Sequence, residues 1–173
     1  MSDPVATPTP FGTKVFKGKL TKLASGTDHT LALTKDGKVY AWGDAECGKI
    51  GRLLLSRGRD KNQDALKIQS VGAKHAVDVF CGGHTSFYKT KKNQLFAFGL
   101  NNHGQLGIGT KENTFVPTLV YFDDADVNIT QVEGGEHHTV GLTDKGKVYC
   151  WGRNDESQCG AGDLYEPYKR QEA

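Results

Sequence analysis

The sequence predicts an all-β chain built as consecutive β-propeller blades. Three observations lead there. Glycine occurs 22 times in 173 residues, nearly twice the ordinary share and without collagen's strict period, which calls for many turns between short strands. One pattern of 18 residues occurs three times, over 26–43, 82–99 and 135–152. Each copy reads as strand, tight turn, strand, and units of about 50 residues made of short antiparallel strands are how propeller blades look in sequence.

Along the chain, residues 1–13 hold three of the five prolines and no apolar period, so a disordered leader is expected there. Lys14, Lys17, Lys19 and Lys22 follow without an intervening acid. The first copy, GTDHTLALTKDGKVYAWG, begins at Gly26, the second at Gly82 and the third at Gly135. The starts are 56 and 53 residues apart and no copy contains a gap. Paired strands are predicted over 29–34 and 38–42, 85–90 and 94–98, and 139–143 and 147–151. The turn position carries Gly37, Asn93 and Gly146, residue types that tolerate the left-handed backbone such hairpins often require. The aromatic before the closing glycine, Trp42, Phe98 or Trp151, marks a recurring core slot.

A further strand is expected before each hairpin, over 20–24, 77–81 and 127–133. After each hairpin comes a second glycine signature, over 43–51, 99–107 and, in a worn form, 152–160. One more strand is expected over 114–122, with Pro117 suggesting a sheet edge. The units thus run over about 20–51, 77–107 and 127–160, within a repeat region of 14–165 and ahead of an irregular tail at 166–173.

Composition excludes several classes of function. A net charge of +2 rules out strong whole-chain steering toward nucleic acid, though not local patches. No apolar run exceeds four residues, as at 95–98, which is far too short to span a bilayer as a helix, so no membrane partner is expected. Four cysteines without a CxxC pair and without a secretion signal are expected to be reduced thiols. No cofactor and no metal are expected. Residues 43–49 have GxxxxGK spacing, but Ile50 stands where a phosphate-binding loop needs Ser or Thr. Cys81 and His84 are spaced as a metal pair, yet His29, Thr85 and His138 share one repeat column. That mixture favours a repeated hydrogen bond to backbone over a zinc site of about four ligands. No catalytic constellation stands out.

The preceding column holds Asp28, His84 and His137. Equivalent loops of a propeller emerge on one face, so these three polar groups would share a rim. They read either as turn chemistry, since Asp readily caps turns, or as a partner-binding rim. Arg52, Arg57, Arg59 and Lys61 lie in the long segment after the first unit. They read either as an ordinary solvated insertion or as a contact to phosphate.

The GxxHT motif, the DGKVYAWG-like strand and the GQLG turn resemble the RCC1 repeat family, with FGLNNHGQLG at 98–107 especially similar. The segment 52–78, the Phe80-Cys81-Gly82 sequence and GGEHHTV at 134–140 are similar to the middle blades of that family's exchange factor for the GTPase Ran. The resemblance covers about residues 20–165. It implies a seven-bladed ring, of which about three blades would form a partial arc here. It also implies a Ran-type small GTPase as partner through Asp28, His84 and His137, histones or DNA as further partners, and a nuclear, chromatin-associated location, with the cytoplasm also open. The alternative is a generic RCC1-repeat interaction module without exchange activity. An open arc leaves strand edges unpaired, so self-association through those edges, or marginal stability, is expected of a truncated or partial product.

Overall fold

A computed structural model describes residues 13–51, 67–124, 126–160 and 171–172. It is an arc of three four-stranded antiparallel sheets. The first contains β1 (Leu20–Ser25), β2 (His29–Thr34), β3 (Val39–Gly43) and β4 (Gln69–Ser70). The second contains β5 (Ala76–Cys81), β6 (Thr85–Thr90), β7 (Leu95–Gly99) and β8 (Thr114–Leu119). The third contains β9 (Ile129–Gly134), β10 (His138–Thr143), β11 (Val148–Gly152) and β12 (Gln171–Glu172). Each sheet is a blade whose strands are neighbours in chain order. The leader up to residue 12, the basic segment 52–66 with Arg52, Arg57, Arg59 and Lys61, and most of the tail lie outside the described residues.

The repeat in sequence is a repeat in register. His29, Thr85 and His138 each face the closing glycine of the next strand, Gly43, Gly99 and Gly152. Thr30, Ser86 and Thr139 each face the core aromatic, Trp42, Phe98 and Trp151. The hairpin turns close alike: Gly37, Asn93 and Gly146 donate to the carbonyls of Thr34, Thr90 and Thr143. Their φ values of 78, 58 and 78° lie in the left-handed region that those residue types tolerate best.

Strand alternation gives each sheet two faces, and the cores lie between blades. Leu31, Leu33, Val39 and Ala41 of the first blade meet Val79, Tyr88 and Phe98 of the second, with Ile50 between them. Phe87, Leu95 and Ala97 of the second meet Val132, Tyr149 and Trp151 of the third, with Leu106 between them. The turns after the first and second hairpins therefore each supply an aliphatic residue to the next interface. On the far face of the first blade, Phe16 packs on Tyr40 and Trp42 at ring distances of 5.4 and 5.9 Å. The lysine-rich stretch thus carries an apolar plug in its middle.

The cysteine expectation is corrected. Cys150 and Cys159 form a disulfide, whereas Cys47 and Cys81 are free. Cys150 occupies the repeat column of Ala41 and Ala97, and Cys159 that of Ile50 and Leu106. Strand and turn fold together in every blade, which brings the two Cα atoms to 5.4 Å, within bridging range. Burial pushes the Cys81 thiol up to about 12, which makes it a poor nucleophile or metal ligand at neutral pH.

Candidate functional site

The three loops that precede the second strand of each blade stand side by side. The Thr27 N–H donates to the Gly83 carbonyl at 3.0 Å, and the Gly83 N–H donates to the Gly135 carbonyl at 3.1 Å. These main-chain rungs need close approach. A Cβ on Gly26 would come within 2.6 Å of the Gly82 carbonyl oxygen, and one on Gly82 within 2.8 Å of the Gly134 Cα. Glycine in these loops is therefore a condition of blade contact as well as of turn geometry.

Asp28 and His84 follow directly, His137 one residue further on after Glu136, and the structure brings the three into one row. The carbonyl of each accepts the N–H of the residue after the closing glycine: Asp44 to Asp28 at 2.9 Å, Leu100 to His84 at 3.0 Å and Arg153 to His137 at 2.8 Å. A Cβ on Gly43, Gly99 or Gly152 would lie 2.3–2.5 Å from those carbonyl oxygens. The φ values there are 107, 122 and 106°, so a side chain is opposed twice over.

The row is chemically graded. At its first position, Asp28 is 42% exposed and its two carboxylate oxygens accept from Lys49 Nζ at 2.9 and 3.1 Å. The same ammonium donates to Asp44 Oδ2 at 2.5 Å, and the Lys49 side chain is only 4% exposed. Burial works against charge on Lys49, but its hydrogen bonds to Asp44 and Asp28 carry its pKa above the ordinary value. Asp44 is likewise exposed to a desolvation cost, and its hydrogen bond with Lys49 takes its carboxyl below the usual range. The GxxxxGK lysine is thus committed to two carboxylates.

His29 lies beneath, with Nδ1 3.9 Å from Asp28 Oδ1. Its Nε2 lies 2.8 Å from Ser86 Oγ on the next blade, and Ser86 Oγ donates to the Lys49 carbonyl at 2.7 Å. The serine proton is used there, so His29 donates from Nε2 and leaves Nδ1 bare. His29 meets the neighbouring blade at the Ser86 hydroxyl, and hydrogen bonding with the Thr85 main chain works to raise its pKa. Burial, followed by the charge on Lys49, pushes the imidazole pKa down to about 4.

At the other end of the row, His137 is 24% exposed, with Nε2 3.7 Å from Glu136 Oε1. Its ring lies 4.7 Å from that of His103, in the turn of the preceding blade. Partial burial, then the neighbouring His137 and Arg153, lower the His103 pKa. Sequence reasoning missed His103 and Lys49 as rim residues. Both sit in the second glycine signature, whose turns swing back over the loops of the rim. Among the described residues no three His, Cys, Asp or Glu side chains converge as metal ligands would.

The RCC1-like domain model matches residues 2–172. The chain belongs to the RCC1-like domain family. It is 38% identical to Protein pim1 of Schizosaccharomyces pombe over 84% of this chain and 27% of that protein. It is 33% identical to the Guanine nucleotide exchange factor SRM1 of Saccharomyces cerevisiae, over 88% of this chain and 32% of that one. Among solved structures, Prp20p of Saccharomyces cerevisiae, studied together with its binding to Gsp1p and histones, superposes with a TM-score of 0.74 at 30% identity. That likeness covers 81% of this chain and 32% of Prp20p. The chain therefore spans about a third of the proteins it resembles, as a partial arc of the RCC1-type propeller.

Proposed function

We propose that this arc forms the middle blades of a guanine-nucleotide exchange factor for a Ran-type small GTPase. The observation that carries the reading is the row of Asp28, His84 and His137, held side by side by the Thr27–Gly83 and Gly83–Gly135 rungs. Exchange needs no covalent chemistry. A surface that binds the nucleotide-free GTPase better than the loaded form weakens nucleotide binding by the same factor, because the coupling is reciprocal. A graded row of one carboxylate and two imidazoles supplies directional contacts for that discrimination. The exchange-factor relative and the binding of Prp20p to Gsp1p support this reading.

The same proposal places the protein on chromatin in the nucleus, with histones or DNA as second partners and Arg52, Arg57, Arg59 and Lys61 as the phosphate-facing group. With a net charge of only +2, any DNA affinity is weak and falls steeply with salt.

The test is a titration of the full chain with a Ran-type GTPase, nucleotide-free and GDP-loaded. Preference for the nucleotide-free form, reduced by Asp28→Ala and His137→Ala at little cost in melting temperature, is the expected result. Equal binding of both forms, or none, refutes the reading and leaves a generic interaction module.

A further inference from the structure

Lys49 departs from the rule set by its own repeat column. The equivalent residues in the other two turns are Gln105 and Gln158. Each glutamine closes its own turn. Gln105 Oε1 accepts the His103 N–H and Gln158 Oε1 accepts the Glu156 N–H, both at 2.9 Å. A lysine has no acceptor and cannot do this. In the first turn the nearest substitute comes from Asp44, whose Oδ1 accepts the Glu46 N–H at 3.2 Å. The position has exchanged a turn-closing amide for an ammonium that reaches out to Asp28 and Asp44.

Nothing in the fold requires that exchange, since the two sister turns form without it. Gly104 and Ser157 hold the left-handed conformation of Gly48, at φ 79 and 58° against 87°, and the first turn differs in adding a second left-handed residue, Cys47 at φ 57°. What the exchange changes is the rim. Leu100 and Arg153 stand where Asp44 does, so the first loop alone combines a carboxylate on the rim, a buried ammonium and a second carboxylate. The cluster also closes on the next blade, because the Lys49 carbonyl accepts from Ser86, which accepts from His29 beneath Asp28. Asp28 is thereby held from the side and backed from below, while part of its carboxylate still faces solvent. Two carboxylates against one ammonium, with His29 neutral, leave the cluster with one net negative charge.

We propose that Lys49 is the positioning residue of the rim: it fixes the Asp28 carboxylate in one orientation to accept a cationic group of the docking partner. A carboxylate fixed before binding loses less rotamer freedom when it engages a Lys or Arg, and it retains lone pairs for that donor. This inference rests on the GTPase-docking reading, and its test separates the two.

The measurement is the affinity of the full chain for nucleotide-free Ran-type GTPase, with melting temperature alongside, for Asp28→Ala, Lys49→Gln and the double variant. Lys49→Gln returns the acceptor used by both sister turns, so the fold is expected to melt as before. Affinity is expected to fall about tenfold in each single variant, the scale of one charge-assisted contact. The double variant should be no weaker than Asp28→Ala alone. Such non-additivity at unchanged melting temperature is something a merely structural lysine would not produce. If Asp28→Ala weakens binding while Lys49→Gln leaves it unchanged or tightens it, the positioning role is overturned and the docking reading stands. An additive double variant overturns it as well. If Asp28→Ala has no effect, the docking reading falls and takes this inference with it.

Discussion

The Gln105 carbonyl is where the second and third blades are tied, and its loss of partners can be dosed. It accepts from Thr139 Oγ1 and from Trp151 Nε1, each at 2.8 Å, and all three residues are buried. Trp151→Phe removes one donor but keeps a ring in the slot, as Phe98 does in the second blade. The lost hydrogen bond is worth about 1 kcal/mol net. The lost volume, one to two methylene equivalents, adds roughly 1 kcal/mol more. Thr139→Val removes the other donor at nearly constant shape and costs about 1 kcal/mol. Each single variant leaves the carbonyl one partner. The double variant leaves it none, and a buried acceptor without a partner costs a further 1–3 kcal/mol or so. A double-mutant cycle by urea denaturation should therefore show coupling of roughly 1–2 kcal/mol beyond the sum of the singles. Additivity within a few tenths of a kcal/mol would show that water or a shifted side chain reaches the carbonyl, and would refute this account of the interface.

His29 makes stability depend on pH. Its pKa is about 4 when folded against an ordinary 6.5, so between those values the unfolded chain binds more protons. The contribution is complete above about 6.5 and is lost as pH falls through about 4, amounting to roughly 3 kcal/mol; melting temperature against pH should show this fall, flattened in His29→Thr, and identical profiles would refute it. The Cys150–Cys159 bridge closes a loop with a separation of 9 residues and is expected to add roughly 2–3 kcal/mol. Reductant should lower the melting temperature and raise the thiol count of the denatured chain from two to four, whereas four thiols before reduction would refute the bridge.

The hairpins were legible because their glycines answer to stereochemistry. Gly37, Asn93 and Gly146 hold left-handed turns and Gly43, Gly99 and Gly152 admit a carbonyl, and such demands leave glycine, or asparagine in the turn, at the same spacing in every copy. The common rim could be read because spacing alone puts Asp28, His84 and His137 on equivalent loops. Other features left no such trace. Gln69–Ser70 pairs with β3, but two residues carry no period. Phe16 was one aromatic among lysines, and only the exposed face of the first blade gives it a role. The worn third signature folds like its sisters because Ser157 adopts the glycine conformation, at φ 58°. The Asp28–Lys49–Asp44 cluster stayed hidden because its spacing imitates a phosphate loop, and the bonds that define it cross between turn, loop and neighbouring blade. The disulfide was hidden for a similar reason: its two cysteines belong to different repeat columns, which meet only when strand and turn fold together.

The rungs that join Thr27, Gly83 and Gly135 are made of peptide groups. Just beyond them, Asp28, His84 and His137 each contribute a main-chain carbonyl to the scaffold, whatever side chain they bear. Spacing along the rim is thus set by the chain, and the chemistry displayed there is set separately by substitution. A propeller wired in this way can exchange a carboxylate for an imidazole at one address without moving the next. Its face then works like a row of interchangeable keys on a fixed bar, which lets one architecture meet partners of quite different charge.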